Sequence, residues 1–470
     1  MDDRQPTRYW LRNPLAVFDP EPLPMPASGG LVVAGGRIVE RVAAGVTPPH
    51  DHAFDARGLV LLPGLVNTHH HFYQTLTRAC ARALDKPLFP WLQSLYPLWA
   101  GLTPPMVEAA TELALAELLL SGCTTAADHH YVFNAAIPDA IDRQAAVARA
   151  LGMRVVLTRG SMSLGQSAGG LPPDTVVQDE DTILADSERL VLRLHERTED
   201  AQVQVALAPC SPFSVTPGLL RDTAALANAH DVLLHTHLAE TDDENRFCEQ
   251  HFGMRPLDLI EANGWLQART WFAHGIHFDA GEIARLGRAG AGVSHCPSSN
   301  MLLGSGTCPV AELEAAGVRV GLGVDGSASN DGSNLMQEVR QAFLLARLRA
   351  AAGSVVDAVG DAGAGALASH VDALRWATLG SARVLHRPAL GHLDVGAMAD
   401  IACFDLDDLR FSGAGDPVAA LVLCGAHRAR HVMVGGHWRV RDGQIPGLDL
   451  AALRARHRAC AAELLAAAVS

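Results

Sequence analysis

Val66-Asn67-Thr68-His69-His70-His71-Phe72 is the stretch whose reading decides the fold. It follows Leu59-Val60-Leu61-Leu62-Pro63-Gly64-Leu65, an apolar run that reads as one fully buried strand. Side chains alternate between the two faces of a strand, so His69 and His71 share a face and His70 projects away. Two imidazoles on one face at a strand end can hold a divalent metal. Three histidines in a surface turn is the plain alternative, and the tripeptide alone does not separate the two.

Upstream of this stretch, residues 30–42 alternate β-branched residues around Gly35-Gly36 and predict a hairpin. Strand-like runs return at residues 399–406 and 431–443. Together they suggest one small β domain assembled from both ends of the chain, residues 1–64 and 386–445; two separate edge hairpins is the simpler alternative. Between them the pattern changes. Helical segments at 106–121, 183–197, 217–229 and 280–289 alternate with short apolar runs at 124–128, 154–158, 204–208, 233–237, 270–274, 292–295 and 320–325. Strands alternating with helices imply a parallel sheet, and the run before His69 brings the strands to eight. The fold class is therefore α/β, a (β/α)₈ TIM barrel over residues 65–385 with the composite β domain beside it. Residues 357–368 read as a loose Gly/Ala-rich loop before a last barrel helix at 371–385, and 446–470 as a C-terminal helical segment.

At 470 residues and 49% hydrophobic content, the chain has ample material for a large barrel core. A net charge of -14, with no basic run, argues against a nucleic-acid partner. None of the nine cysteines forms a C-x-x-C pair, which points to a reducing cytoplasm. Residues 1–14 lack the apolar core of a signal peptide, and no apolar run reaches the length of a membrane span.

Barrel active sites lie at the C-terminal ends of the strands, so the polar residues there carry the function. His69 and His71 end the first strand, His235-Thr236-His237 a later one, His274 the next, and Val324-Asp325-Gly326 the last. Three histidines and a carboxylate make a shell for zinc or iron with room left for water. Glu240, three residues past His237, is placed for acid–base work on that water without being a ligand. His235 reads as turned away from His237, a packed core histidine. Asp325 taken alone fits turn chemistry as well as coordination.

These residues resemble the amidohydrolase superfamily over nearly the whole chain. Asn67-Thr68-His69-His70-His71 is similar to its N-x-H-x-H, His237-Leu238-Ala239-Glu240 to its H-x-x-E, and His274, residues 295–300 and Asp325 fall in the family order. The resemblance implies one metal on His69, His71, His237 and Asp325. Asp325 then takes a proton from the attacking water, Glu240 protonates a ring nitrogen, and His274 stabilises charge on the attacking oxygen. Binuclear members use a carboxylated lysine after the fourth strand. Residues 208–211 here are Ala-Pro-Cys-Ser and the one lysine is Lys86, so a lysine-bridged pair is excluded and the mononuclear aminohydrolase branch is implied. Within that branch residues 67–78, 159–163, 169–173 and 208–213 resemble 8-oxoguanine deaminases most, which implies hydrolysis of a small purine-like substrate, 8-oxoguanine, to urate and ammonia. Zinc is the expected ion, with Fe²⁺ as the alternative, and such enzymes commonly form homo-oligomers. Gln74 is expected to pair with a purine edge, since its amide both donates and accepts. Cys210, Ser211 and Asn300 are expected to line the pocket, and His129 and His130 either to line it or to pack behind it. The aromatic stretch from Leu88 to Trp99 reads as a lid over a flat ring, or as a satellite cluster or subunit contact. Triazine hydrolases and guanine, isoguanine or cytosine deaminases are the enzyme alternatives. A metal-free scaffold is the non-enzymatic one, against which the complete ligand set argues. The nucleic-acid-editing deaminases need P-C-x-x-C, which Pro209-Cys210-Ser211-Pro212 lacks.

Overall fold

Gly64 splits the long apolar run between two sheets. In the computed structural model, which describes residues 6–23, 26–356 and 367–467, Leu59–Pro63 pairs antiparallel with Ile401–Asp405 along all five residues. Leu65–Asn67 leaves in another direction and pairs parallel with Cys123–His130. The amide of Gly64 donates to Asp400 O at 2.8 Å and that of Leu65 to Gly122 O at 3.0 Å, so the handover takes a single residue. A Cβ on Gly64 would lie 2.3 to 2.9 Å from three atoms of the Thr124 side chain, which leaves only glycine for the position. The expected single strand before His69 is thus corrected to two. Composition hid the break because every residue of both pieces is buried.

Eight parallel strands form the barrel in chain order: β1 Leu65–Asn67, β2 Cys123–His130, β3 Arg154–Ser161, β4 Val203–Pro209, β5 Leu234–Leu238, β6 Thr270–His274, β7 Gly292–His295 and β8 Arg319–Leu322. Strands β8 and β1 meet through Thr68 N to Leu322 O (2.9 Å) and Asp325 N to His69 O (3.1 Å). The Asn67 carboxamide adds Oδ1 as acceptor for Val324 N at 2.9 Å. The sheet is nearly closed, as the strand count predicts. Strand β8 stops at Leu322, short of the expected 325, and leaves Val324 and Asp325 on the loop above it. The expected helix at 371–385 is His370–Arg375 and Ser381–Val384 joined by a wider π turn, Trp376–Gly380. The wide turn lets Ser381 Oγ donate to Trp376 O and accept from Leu322 N against β8. Most of the stretch read as a loose loop, residues 357–366, lies outside the described residues.

Both termini do contribute to one sheet. Its order is His437–Val440, His431–Val434, Ile401–Asp405, Leu59–Pro63 and Ala16–Val17. The expected hairpin, Gly30–Ala34 with Arg37–Val42, belongs to a second, four-stranded sheet with Tyr9–Arg12 and His52–Asp55. A buried pair, Arg154 Nε to Asp400 Oδ2 at 3.0 Å, ties the start of β3 to the shared sheet. Among the described residues no helix is long and apolar enough to cross a membrane.

Candidate active site

The strand ends bring His69, His71, His237 and Asp325 together. The His69 and His71 rings lie 4.7 Å apart, centroid to centroid, while His70 packs on Phe72 and accepts the His71 amide at Nδ1. Asp325 Oδ1 is 3.2 Å from Nε2 of both His69 and His71. The Nε2 atoms of His71 and His237 are 3.1 Å apart. His71 Nδ1 lies 2.6 Å from His129 O and His237 Nδ1 2.6 Å from Cys210 O. A carbonyl only accepts, so each ring carries its proton on Nδ1. Burial holds the pKa of His237 down at about 3, so it has no second proton. The lone pair of His237 Nε2 therefore points into the cluster beside a carboxylate, and buried His69 Nε2 has no hydrogen-bond partner. Repulsion of this kind is relieved by a cation at the centre, and three imidazole nitrogens with one carboxylate oxygen are a fitting donor set for one. The cluster is a buried His/Asp metal site.

Around the cluster, three residues that follow or end strands adopt left-handed backbone: Ala239 (φ 53°), His274 (φ 71°) and Asp325 (φ 62°). Non-glycine residues in this region cost about 1–3 kcal/mol each and persist where surrounding bonds over-determine them. The bonds are present. Glu244 accepts the amides of Ala239 and Glu240, each at 3.0 Å. His274 Nδ1 is 2.9 Å from Asn300 Oδ1. Gly326 N donates to Asp325 Oδ1 at 2.7 Å. The turn at Ala239 swings Glu240 back over the metal cluster, with Oε2 3.5 Å from His274 Nε2. Burial, with the charge of Asp325 adding to it, pushes the Glu240 carboxyl well above the usual carboxylate range. It is therefore a proton carrier near neutral pH.

These groups open onto a small cavity, whose empty space of about 360 Å³ runs out into solvent. Helix α1, Leu88–Trp99, forms one wall through Leu88, Trp91, Leu92 and Tyr96. Trp91 Nε1 donates to Ala328 O at 3.2 Å and fastens that wall to the loop after β8. Three buried polar atoms on the lining have no protein partner: Gln74 Oε1, the Tyr96 hydroxyl and Glu240 Oε1. A Cβ on Gly326 would meet Gln74 Oε1 at 1.9 Å. Gly326→Ala is thus expected to fold and bind metal normally but to push the Gln74 amide aside. Losing that contact raises KM about tenfold, the equivalent of ~1.4 kcal/mol; unchanged steady-state kinetics would remove Gln74 from the substrate site.

The sequence pattern of the Amidohydrolase family matches residues 60–439. The chain belongs to this family. It is 60% identical over 462 residues to the 8-oxoguanine deaminase of Pseudomonas aeruginosa, covering 98% of this chain and 100% of that one. It is 39% identical over 402 residues to the hydroxydechloroatrazine ethylaminohydrolase of Pseudomonas sp. strain ADP, covering 84% and 81%. Among solved structures it is similar to the atrazine chlorohydrolase of Arthrobacter aurescens TC1 complexed with zinc, with a TM-score of 0.88 at 31% identity over 96% of this chain and 100% of that one.

Some residues of this amidohydrolase sit otherwise than expected. Ser211 is not on the cavity wall, because its hydroxyl is turned to Ser214 Oγ at 2.8 Å. Asn300 is not on the wall either; its Oδ1 pairs with His274 Nδ1, while its buried Nδ2 has no hydrogen-bond partner. Cys210 does line the cavity, with its thiol pushed up to about 12 by burial and therefore neutral. His129 stacks on His237 at 4.7 Å and donates to Ala208 O, while His130 packs on Tyr73 and Phe133; neither faces the cavity. His235 is not turned away from the cluster: Nε2 lies 2.8 Å from His69 Nδ1. Residues two apart in a strand share a face, and that rule already groups His235 with His237. Glu244 was missed: it is the buried one of three consecutive acids, Asp242-Asp243-Glu244, in the first turn of a helix, and nothing in that run singles it out.

Proposed function

We propose that this amidohydrolase is a zinc-dependent aminohydrolase that converts 8-oxoguanine and water to urate and ammonia. The observation that carries the chemistry is the convergence of Nε2 of His69, His71 and His237 with Asp325, beside Glu240, whose carboxyl burial raises well above the usual carboxylate range. End-to-end similarity to a deaminase of that substrate supports the choice of ring. His₃Asp suits zinc or Fe²⁺, and the zinc in the related atrazine chlorohydrolase favours zinc.

Held by those four residues, the ion supplies Lewis-acid activation of water near neutral pH. Asp325 turns Oδ1 toward the histidines and keeps Oδ2, a hydrogen-bond acceptor for Ser329 Oγ at 3.2 Å, to receive the proton of the attacking water. Glu240 presents Oε1 to the cavity and delivers a proton to the ring nitrogen beside the carbon under attack. His274 places Nε2 between Glu240 Oε2 (3.5 Å) and Asp325 Oδ2 (3.9 Å); with Nδ1–H given to Asn300 Oδ1, it is the imidazolium form whose Nε2–H stabilises charge on the attacking oxygen. Gln74 and Tyr96 offer unpaired groups to the edge of the ring, and α1 covers its face. Expulsion of the amino group as ammonia completes the reaction.

A triazine hydrolase is the second reading, favoured by the similarity to two enzymes of triazine degradation. Ammonia release by the zinc-loaded protein from 8-oxoguanine, guanine, isoguanine, cytosine and an amino-triazine separates them. Preference for 8-oxoguanine with urate as product is expected, abolished by chelation and restored by zinc. Turnover of the triazine alone would overturn the substrate, and activity that survives complete metal removal would overturn the chemistry.

A further inference from the structure

Each metal-facing histidine has a different acceptor behind it. His71 and His237 lean on backbone carbonyls, those of His129 and Cys210, which no side-chain change removes. His69 leans on a side chain, Nε2 of His235 at 2.8 Å. His235 is in turn fixed by Trp271. Its Nδ1 lies 2.9 Å from Trp271 O and its ring stacks on the indole at 4.2 Å and 15°. The same indole donates Nε1–H to Thr68 O at 3.0 Å, so Trp271 grips both the ring behind His69 and the residue before it.

We propose that His235 is a positioning residue for the metal: it accepts the Nδ1 proton of His69, fixes the tautomer that leaves Nε2 bare, and strengthens that nitrogen as a donor. The inference rests on the reading of His69 as a ligand. A carbonyl only accepts, so Trp271 O places the proton of His235 on Nδ1 and leaves its Nε2 a lone pair. That lone pair in turn requires the proton of His69 on Nδ1. If the His235 ring held its proton on Nε2 instead, His69 would carry its own on Nε2 and could not bind metal. The chain of acceptors thus runs from Trp271 O through two imidazoles to the metal position. Outer partners of this kind are worth about 10–100-fold in metal affinity.

Three substitutions separate this role from packing. His235→Phe keeps the ring and the stack on Trp271 but accepts nothing. His235→Asn reproduces the Nδ1 end, toward Trp271, and lacks an acceptor near His69. His235→Gln brings an amide oxygen near the Nε2 end and retains the acceptor. The readouts are zinc affinity by chelator competition, the visible spectrum of the cobalt-substituted protein and the melting temperature of the metal-free form. Phe and Asn are expected to weaken zinc about 10–100-fold and to change the cobalt spectrum, with Gln closer to wild type. Wild-type affinity and spectrum in Phe and Asn, or a loss in Gln as large as theirs, would overturn the proposal. Wild-type zinc affinity in His69→Ala would instead overturn the ligand assignment beneath it. Should none of the His235 variants fold, neutron diffraction from zinc-loaded wild-type crystals decides. Deuterium on Nδ1 of both His69 and His235 is expected, and deuterium on His235 Nε2 overturns the proposal.

Discussion

Glu240→Gln is expected to keep its full metal content while turnover falls about 10³-fold, the middle of the range for loss of a general acid–base group. The reasoning is one of shape and charge. Burial raises the carboxyl well above the usual range and so favours its neutral form, which an amide of the same outline replaces without adding or removing charge. The backbone turn that aims the side chain is held by Glu244 through the amides of Ala239 and Glu240, and the substitution leaves those bonds in place. None of the ligand contacts of His69, His71, His237 or Asp325 involves Glu240. What disappears is a proton that can be given to a ring nitrogen and taken back. Metal analysis beside kcat and KM checks this, and an enzyme that turns over normally would take Glu240 out of the mechanism.

The second large effect is at His237. Replacing it by alanine removes one of the nitrogen donors, takes from Cys210 O its shortest hydrogen bond while the His237 amide and Thr236 Oγ1 still donate to it, and unstacks His129. Zinc affinity is expected to fall by more than the ~100-fold that loss of an outer partner costs, and turnover to fall with it. Equilibrium dialysis and ammonia release on the same preparation measure both. Retention of either at the wild-type level would remove His237 from the ligand set.

The residues that cluster at the strand ends, His69, His71, His237 and Asp325, were legible as candidate ligands because each stands at or just past a run of buried apolar residues, where a histidine or aspartate needs a partner. Eight such runs between helical segments gave the barrel for the same reason. Other residues were lost to side-chain direction, which local pattern does not carry. Ser211 and Asn300 belong to the right loops, but Ser211 Oγ is turned to Ser214 and Asn300 Oδ1 to His274. Tyr96 stood in view as part of an aromatic stretch, whose role as cavity wall depends on where α1 docks. Glu244 was masked by its acidic neighbours, and its burial comes from a turn that the sequence does not announce. Gly64 was masked by uniform hydrophobicity on both sides. His235 is a different kind of miss, since the alternation that paired His69 with His71 also pairs it with His237.

The sharing of one sheet by Leu59–Pro63 and Ile401–Asp405 sets a clock on biosynthesis. At about 10 residues per second, the first of these strands leaves the ribosome some tens of seconds before its antiparallel partner exists. Through that interval it has only the two-residue Ala16–Val17 beside it, and an apolar edge of this length is a template for pairing with other chains. The strand that carries His69 and His71 starts one residue further on. Translation must therefore pass residue 405 before the junction in front of the metal site is fully paired, and until then the nascent chain depends on chaperones or speed to stay apart from its neighbours.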